Sequence, residues 1–244
     1  MTASSRKIAL VTGANKGIGR AIAAQLGKTG MTVLLGARNA AAGEEAAAQL
    51  RKENLDVQFI QLDLVQPATI EAAAATIASR FQRLDVLVNN AAIVDAADGP
   101  PDTANLNSVK RVFDTNFHGT LAVTQAMLPL LRKSEQGRIV NLSSGLASLQ
   151  FNSDPKWAFA DFKLIGYCAS KAALNMLTVQ LAYELRDTKI KVNAVSPGYV
   201  ATDMNQNQGN LTVEEGAAEP VRLALLSADG PTGGFFGDGG NYPW

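Results

Sequence analysis

Short, almost wholly apolar runs alternate along the chain with longer segments in which apolar side chains recur every three or four positions. The runs stand near Ile8–Thr12, Thr32–Ala37, Val57–Gln61, Val86–Asn89, 139–142 and 191–194. Between them, helices are predicted near 18–29, 41–53, 70–81, 106–132 and 164–186. Unbroken apolarity, as opposed to alternation, marks strands buried on both faces, and strand–helix repetition yields a parallel sheet with helices on each side. The expectation is therefore an α/β fold, a single-domain doubly wound parallel sheet. Such sheets take their ligands at the carboxyl ends of the strands. Gly13, Asp63, Asn89, Asn90, Ser143 and Ser144 follow the apolar runs, so chemistry is sought along that edge. No repeat of fixed period and no linker-like stretch divides the chain; the one bias is alanine in the helical segments, at 40–48 and 72–75.

Composition narrows the function classes. A chain of 244 residues buries about 70–75% of its unfolded surface and needs no covalent staples. Cys168 is the only cysteine and His118 the only histidine, which excludes an intrachain disulfide and the usual Cys/His zinc cage. Basic and acidic residues number 22 each, with no basic run, so a nucleic-acid partner is not expected. No apolar run reaches the roughly 18 residues of a membrane span, and residues 1–7 lead into the first strand without a cleavable signal pattern. A cytoplasmic protein without a membrane partner is expected.

After the first strand comes Thr12-Gly13-Ala14-Asn15-Lys16-Gly17-Ile18-Gly19. Glycines let the backbone approach a pyrophosphate, and the helix that follows points its positive end at the phosphates. The spacing is G-x-x-x-G-x-G, without the Gly-Lys-Ser/Thr ending of a P-loop. A merely tight turn would also use glycines; its place in the first βαβ unit favours a nucleotide, in a fold of the Rossmann type. At the end of the second strand an acid would hold a ribose 2′-hydroxyl, whereas an arginine would accept a 2′-phosphate. Leu34-Leu35-Gly36-Ala37-Arg38-Asn39 has no acid and one arginine. With Lys16 as a second cation, the phosphorylated dinucleotide is expected, unless both are simply solvated surface charges.

Tyr167 and Lys171 are spaced i, i+4 at the start of a helical pattern and share one face. A tyrosine of ordinary pKa about 10 transfers protons poorly at neutral pH, and a neighbouring ammonium lowers that value. Alone, such a pair is as easily a solvated helix face. With the glycine turn and Ser143–Ser144 after the fifth strand it becomes a constellation.

These residues, with Asp63, Asn89-Asn90-Ala91-Ala92, Asn116 and Pro197-Gly198, make the chain resemble a short-chain dehydrogenase/reductase over nearly its whole length. The resemblance implies that Tyr167 is the general acid, that Lys171 lowers its pKa and binds the nicotinamide ribose, and that Ser144 hydrogen-bonds the substrate oxygen. Asn116 would hold a water relaying protons to Lys171. The cofactor, NADPH, would run along Gly13, Asn15, Lys16, Gly17, Ile18, Gly19 and Arg38, past Asp63 and Leu64 at the adenine and past Asn90 and Ala91. It would end at Tyr167 and Lys171, bordered by Pro197, Gly198, Val200 and Thr202. Ser143, His118 and Cys168 are given no chemical role. Hydride transfer builds negative charge on a carbonyl oxygen, which a hydroxyl pair can neutralise.

Twenty-two residues separate Ser144 from Tyr167, about ten more than is usual in the family. The segment 145–163 is read as an insertion before the catalytic helix, similar to that of the carbonyl-reductase branch, whose members are often monomeric. A monomer is therefore favoured over a tetramer. Phe151, Pro155, Trp157, Phe159 and Phe162 either wall a pocket for a hydrophobic carbonyl compound or only pack the insertion down. The polar segment 199–216 is read as a substrate loop that would serve as a mobile lid. The reading is a reductase that turns ketones or aldehydes into alcohols with NADPH. An oxidative dehydrogenase, a Ser–Lys hydrolase and a non-catalytic NADP-sensing protein are the alternatives.

Overall fold

The computed structural model describes residues 6–238 and 240–244. One sheet of eight strands has the order β3-β2-β1-β4-β5-β6-β7-β8. It is built from β1 (Ile8–Thr12), β2 (Thr32–Ala37), β3 (Val57–Gln61), β4 (Val86–Asn89), β5 (Arg138–Leu142), β6 (Lys191–Val195), β7 (Phe235–Gly237) and β8 (Gly240–Asn241). All neighbours run parallel except the last pair, which is antiparallel. The helices are α1 (Gly17–Lys28), α2 (Ala40–Lys52), α3 (Pro67–Phe81), α4 (Leu106–Phe113), α5 (Thr120–Leu131), α6 (Leu149–Ser153), α7 (Ile165–Glu184) and α8 (Val213–Ala224).

The unbroken apolar runs have their physical reason in two cores. Ala9, Val11, Val33, Leu35, Val86, Val88, Val140 and Leu142 face one core with α1, α2 and α8. Their immediate neighbours Ile8, Leu10, Leu34, Leu87 and Ile139 face the other with α3, α5 and α7. Side chains alternate across a strand, so two buried faces require every position to be apolar. Leu10, with none of its surface exposed, is the kind of residue whose truncation costs about 2–5 kcal/mol.

Two expectations change. The helix predicted over 106–132 is interrupted by a π-helical turn at Asp114–Gly119, between α4 and α5. At Gly119 an added Cβ would stand 2.5 Å from the Leu64 carbonyl oxygen, so the helix passes this strand end as bare backbone. α8 was not anticipated at all, and its first turn takes in 213–216 of the predicted substrate loop. Among the described residues no helix is long and apolar enough to cross a membrane, and no cluster of three metal-ligating side chains occurs.

Candidate active site

The glycine turn joins β1 to α1 at the carboxyl edge of the sheet. Gly13 and Gly17 have positive φ, +62° and +55°. A Cβ on Gly13 would lie 2.9 Å from the Ala91 Cα, and one on Gly19 would lie 2.4 Å from Asn90 Nδ2. The turn is thus pressed against the segment after β4, and polar groups stitch the two together. Thr12 Oγ1 accepts from the amides of Asn90 (3.0 Å) and Ala91 (2.9 Å), while Asn90 Nδ2 donates to the carbonyls of Thr12 (2.8 Å) and Gly13 (3.1 Å). Asn90 therefore shapes the turn itself. Lys16, at the N-cap of α1, supplies no side-chain cap, and the first turn holds no acid. A helix start without its own cap presents N–H donors and a positive dipole end, the chemistry a pyrophosphate needs.

Arg38 follows β2, is exposed, and has no ion-pair or hydrogen-bond partner among the described residues. Lys16 has a partner within the protein. Its ammonium lies 2.8 Å from Asp203 Oδ2, tying the glycine turn to the segment after β6 and holding that carboxyl below the usual range. Asp63 Oδ1 accepts from the Val65 amide at 3.1 Å, and Leu64 is buried beside Gly119.

Ser143 and Ser144 end up in different surroundings. Ser143 is buried and its hydroxyl donates to Asn175 Oδ1 at 2.6 Å. Ser144 caps the short turn Gly145–Ala147, and its hydroxyl acts on the Tyr167 phenol so as to draw that group's pKa down. Tyr167 and Lys171 lie one turn apart in α7, with Lys171 Nζ 5.9 Å from the phenol ring centre. That ammonium donates to the Leu142 carbonyl at 2.7 Å. Asn116, in the π-helical turn, is buried; its amide pairs with both backbone groups of Ile93 and donates to Ser170 Oγ at 3.2 Å.

Burial sets the electrostatics of the pair. Burial pushes the Tyr167 phenol up to about 12, against the lowering pull of the Ser144 hydroxyl. Burial likewise pushes Lys171 down to about 8. The expected acidification belongs to Lys171 and a cationic nicotinamide together; in the protein alone, loss of water prevails. A neutral phenol is nonetheless the form that can give a proton away.

The segment after β6 carries Pro197, Gly198 (φ +84°), Val200 and Thr202. It is closed on itself by bonds from Asn205 Nδ2 to the Val200 carbonyl (2.9 Å) and from the Ala201 amide to Leu211 O (2.8 Å). The segment 145–163 holds α6 and an aromatic chain. Phe151 stacks on Trp157 and meets Tyr242 edge-on, and Phe159 meets Tyr199 edge-on. A Cβ on Gly145 would be 3.6–3.9 Å from Trp157, Tyr242 and Phe151, so these rings stand next to Ser144. Phe159, Phe162 and Tyr199 keep 38%, 47% and 39% of their surfaces exposed. The rings thus both pack the segment and leave apolar surface uncovered. Asp98, which no motif marks, binds the start of α7 from a loop 68 residues upstream.

Comparison with known proteins decides the family. The short chain dehydrogenase model matches residues 7–211. The chain belongs to this family. Among its relatives, carbonyl reductase [NADPH] 1 of Mus musculus is 36% identical over 279 aligned residues, covering 99% of both chains. Salutaridine reductase of Papaver somniferum is 35% identical, covering 96% of this chain and 95% of that one. The crystal structure of NADPH-bound carbonyl reductase from chicken fatty liver superposes with a TM-score of 0.86 at 30% identity, over 98% of this chain and 99% of that one. This short-chain dehydrogenase is accordingly an oxidoreductase with a Rossmann-type fold, similar to carbonyl reductases.

Proposed function

We propose that this chain is an NADPH-dependent reductase that delivers a hydride to the carbonyl carbon of a ketone or aldehyde and releases the alcohol. The observation that carries the reading is the hydroxyl pair of Ser144 and Tyr167, one helical turn from Lys171, at the sheet edge that also holds the uncapped start of α1. Arg38, unpaired among the described residues at the end of β2, supports a 2′-phosphate on the cofactor; Lys16 supports it less, being paired with Asp203. Gly13, Asn15, Gly17, Ile18 and Gly19 would line the pyrophosphate, Asp63 and Leu64 the adenine, Ala91, Pro197, Gly198, Val200 and Thr202 the nicotinamide side.

When bound, the cofactor supplies the hydride and, after donating it, a positive charge near the phenol. Ser144 donates a hydrogen bond to the carbonyl oxygen and orients it. Tyr167, neutral at pH 7, gives that oxygen its proton as the C=O π bond opens and the new C–H bond forms. The resulting phenolate is stabilised by Ser144 and Lys171 and regains a proton through Lys171, with Asn116 fixing the backbone on which a relaying water would sit. The half-exposed rings of Phe159, Phe162 and Tyr199 favour a hydrophobic substrate. The same groups run the oxidation when concentrations reverse, and Arg38 favours reduction. For assembly we propose a single chain, as in the branch this protein resembles, and a cytoplasmic location.

The test is oxidation of NADPH over a panel of carbonyl compounds. Turnover is expected, falling at least 10²-fold in Tyr167→Phe, a range typical of a lost general acid. Arg38→Asp should reverse the preference toward NADH. NADPH binding without turnover would favour a sensing protein, and ester cleavage without nucleotide would favour a hydrolase.

A further inference from the structure

The first turn of an α-helix leaves its opening N–H groups without partners inside the helix. In α7, which carries Tyr167 and Lys171, the N-cap Leu164 offers no side-chain acceptor and the first turn contains no acid. All three opening donors instead go to two residues of the loop after β4. Ile165 N donates to Gly99 O at 3.0 Å. Gly166 N donates to Asp98 Oδ1 at 2.9 Å, and Tyr167 N donates to Asp98 Oδ2 at 2.8 Å. One carboxylate thus grips two consecutive amides, the second belonging to the residue that bears the phenol.

The loop that presents Asp98 is itself fixed. The Asp98 amide donates to Asp95 O at 2.9 Å, and Asp95 is paired with Arg111 of α4 at 2.7 Å. Further back in the loop, both backbone groups of Ile93 are bonded to the Asn116 side chain, at 2.8 and 2.9 Å. The same loop therefore ties the π-helical turn of Asn116 to the helix of Tyr167. Gly166 makes room for the grip, since a Cβ there would stand 3.0 Å from Asp98 Oδ2 and 3.1 Å from the Val109 Cα.

We propose that Asp98 is a positioning residue for Tyr167, its carboxylate setting where the phenol stands relative to Ser144 by clamping the first turn of α7 from outside the helix. The proposal rests on the reading of Tyr167 as the proton donor. A displacement of about 1 Å in such a group lowers turnover by as much as about 10²-fold. The clamp requires two acceptor oxygens, and a carboxamide has only one, its NH₂ facing an N–H donor.

The experiment uses the full chain with saturating NADPH. Asp98→Ala is expected to lower kcat about 10- to 100-fold with the Kd for NADPH changed less than twofold, and amide exchange at 166 and 167 should quicken at least tenfold. Asp98→Asn, keeping one acceptor, should fall between Asp98→Ala and the unaltered protein in both readouts. Unchanged kcat, or a parallel loss of kcat, NADPH affinity and Tm, would overturn the proposal in favour of no role or a purely structural one. If the unaltered protein reduces no carbonyl, the reductase reading fails, and amide exchange by itself then decides whether Asp98 clamps α7: unchanged exchange in Asp98→Ala would reject it.

Discussion

The phenol of Tyr167 and the amine of Lys171 lie one helical turn apart in the same dry region, yet burial moves them in opposite directions, up to about 12 and down to about 8. The charged form is penalised in each case; for a phenol that is the deprotonated state, for an amine the protonated one. Lys171 consequently titrates lower in the folded protein than the roughly 10.4 of an unfolded chain. Between about 8 and 10.4 the unfolded state holds the extra proton, so stability rises with pH through that window, and below it the full burden is present. At about 1.4 kcal/mol per pH unit the burden is on the order of 3 kcal/mol, of which the bond to Leu142 O returns about 1. Lys171→Met is therefore expected to be about 2 kcal/mol more stable at pH 7 and to lose reductase turnover. Urea denaturation at pH 7 and pH 10.5 checks this, the advantage vanishing at the higher pH. Residue identities made Ser144, Tyr167 and Lys171 legible as a group. Their dryness was not legible, because it depends on what α7 and β5 pack against.

At the scale of elements, the strands were the most readable part, since burial on two faces writes itself as an unbroken apolar run. Helix ends were readable within one to three residues, as with α7, predicted over 164–186 and found at Ile165–Glu184. The π-helical turn left no mark, because Asp114–Gly119 differs from ordinary helix in hydrogen bonding and not in periodicity. α8 did leave one, the Thr212–Glu215 capping box, but Pro220 inside the helix and the polar stretch before it obscured the signal. β7 and β8, three and two residues long, are too short to carry a pattern. The glycine turn was legible by type, and its tightness admits a direct check. Gly19→Ala places a methyl 2.4 Å from Asn90 Nδ2 and 2.6 Å from the Gly13 carbonyl oxygen, so the turn must deform. NADPH affinity is expected to fall at least tenfold in a fluorescence titration, while far-UV circular dichroism stays that of the folded protein.

For the whole molecule, the outer face of α5 and α7 leaves apolar surface open. A groove there is lined by Phe117, Leu121, Leu128, Met176, Leu177 and Leu181 among others, with no residue of the segment 145–163 beside it. Met176, Val179 and Tyr183 of α7 are 58%, 40% and 69% exposed. Light scattering at micromolar concentration is expected to return the mass of one chain; four times that mass, or any other multiple, would reject the monomer. The segment 145–163 packs elsewhere, held by Trp244: Gln150 N and Ser148 Oγ both donate to Trp244 O, at 3.2 and 3.3 Å, and Trp244 stacks on Phe235. By itself the sequence determined the doubly wound sheet, the glycine turn and the Ser144, Tyr167 and Lys171 set, because burial on both faces, positive φ and i, i+4 spacing are local demands that residue type must meet. Only the tertiary structure decided that Lys16 pairs with Asp203, that Trp244 docks on the segment 145–163 and that Asp98 caps the helix of Tyr167. Those contacts join residues 187, 94–96 and 68–69 positions apart, a separation across which side-chain type carries no record of partner.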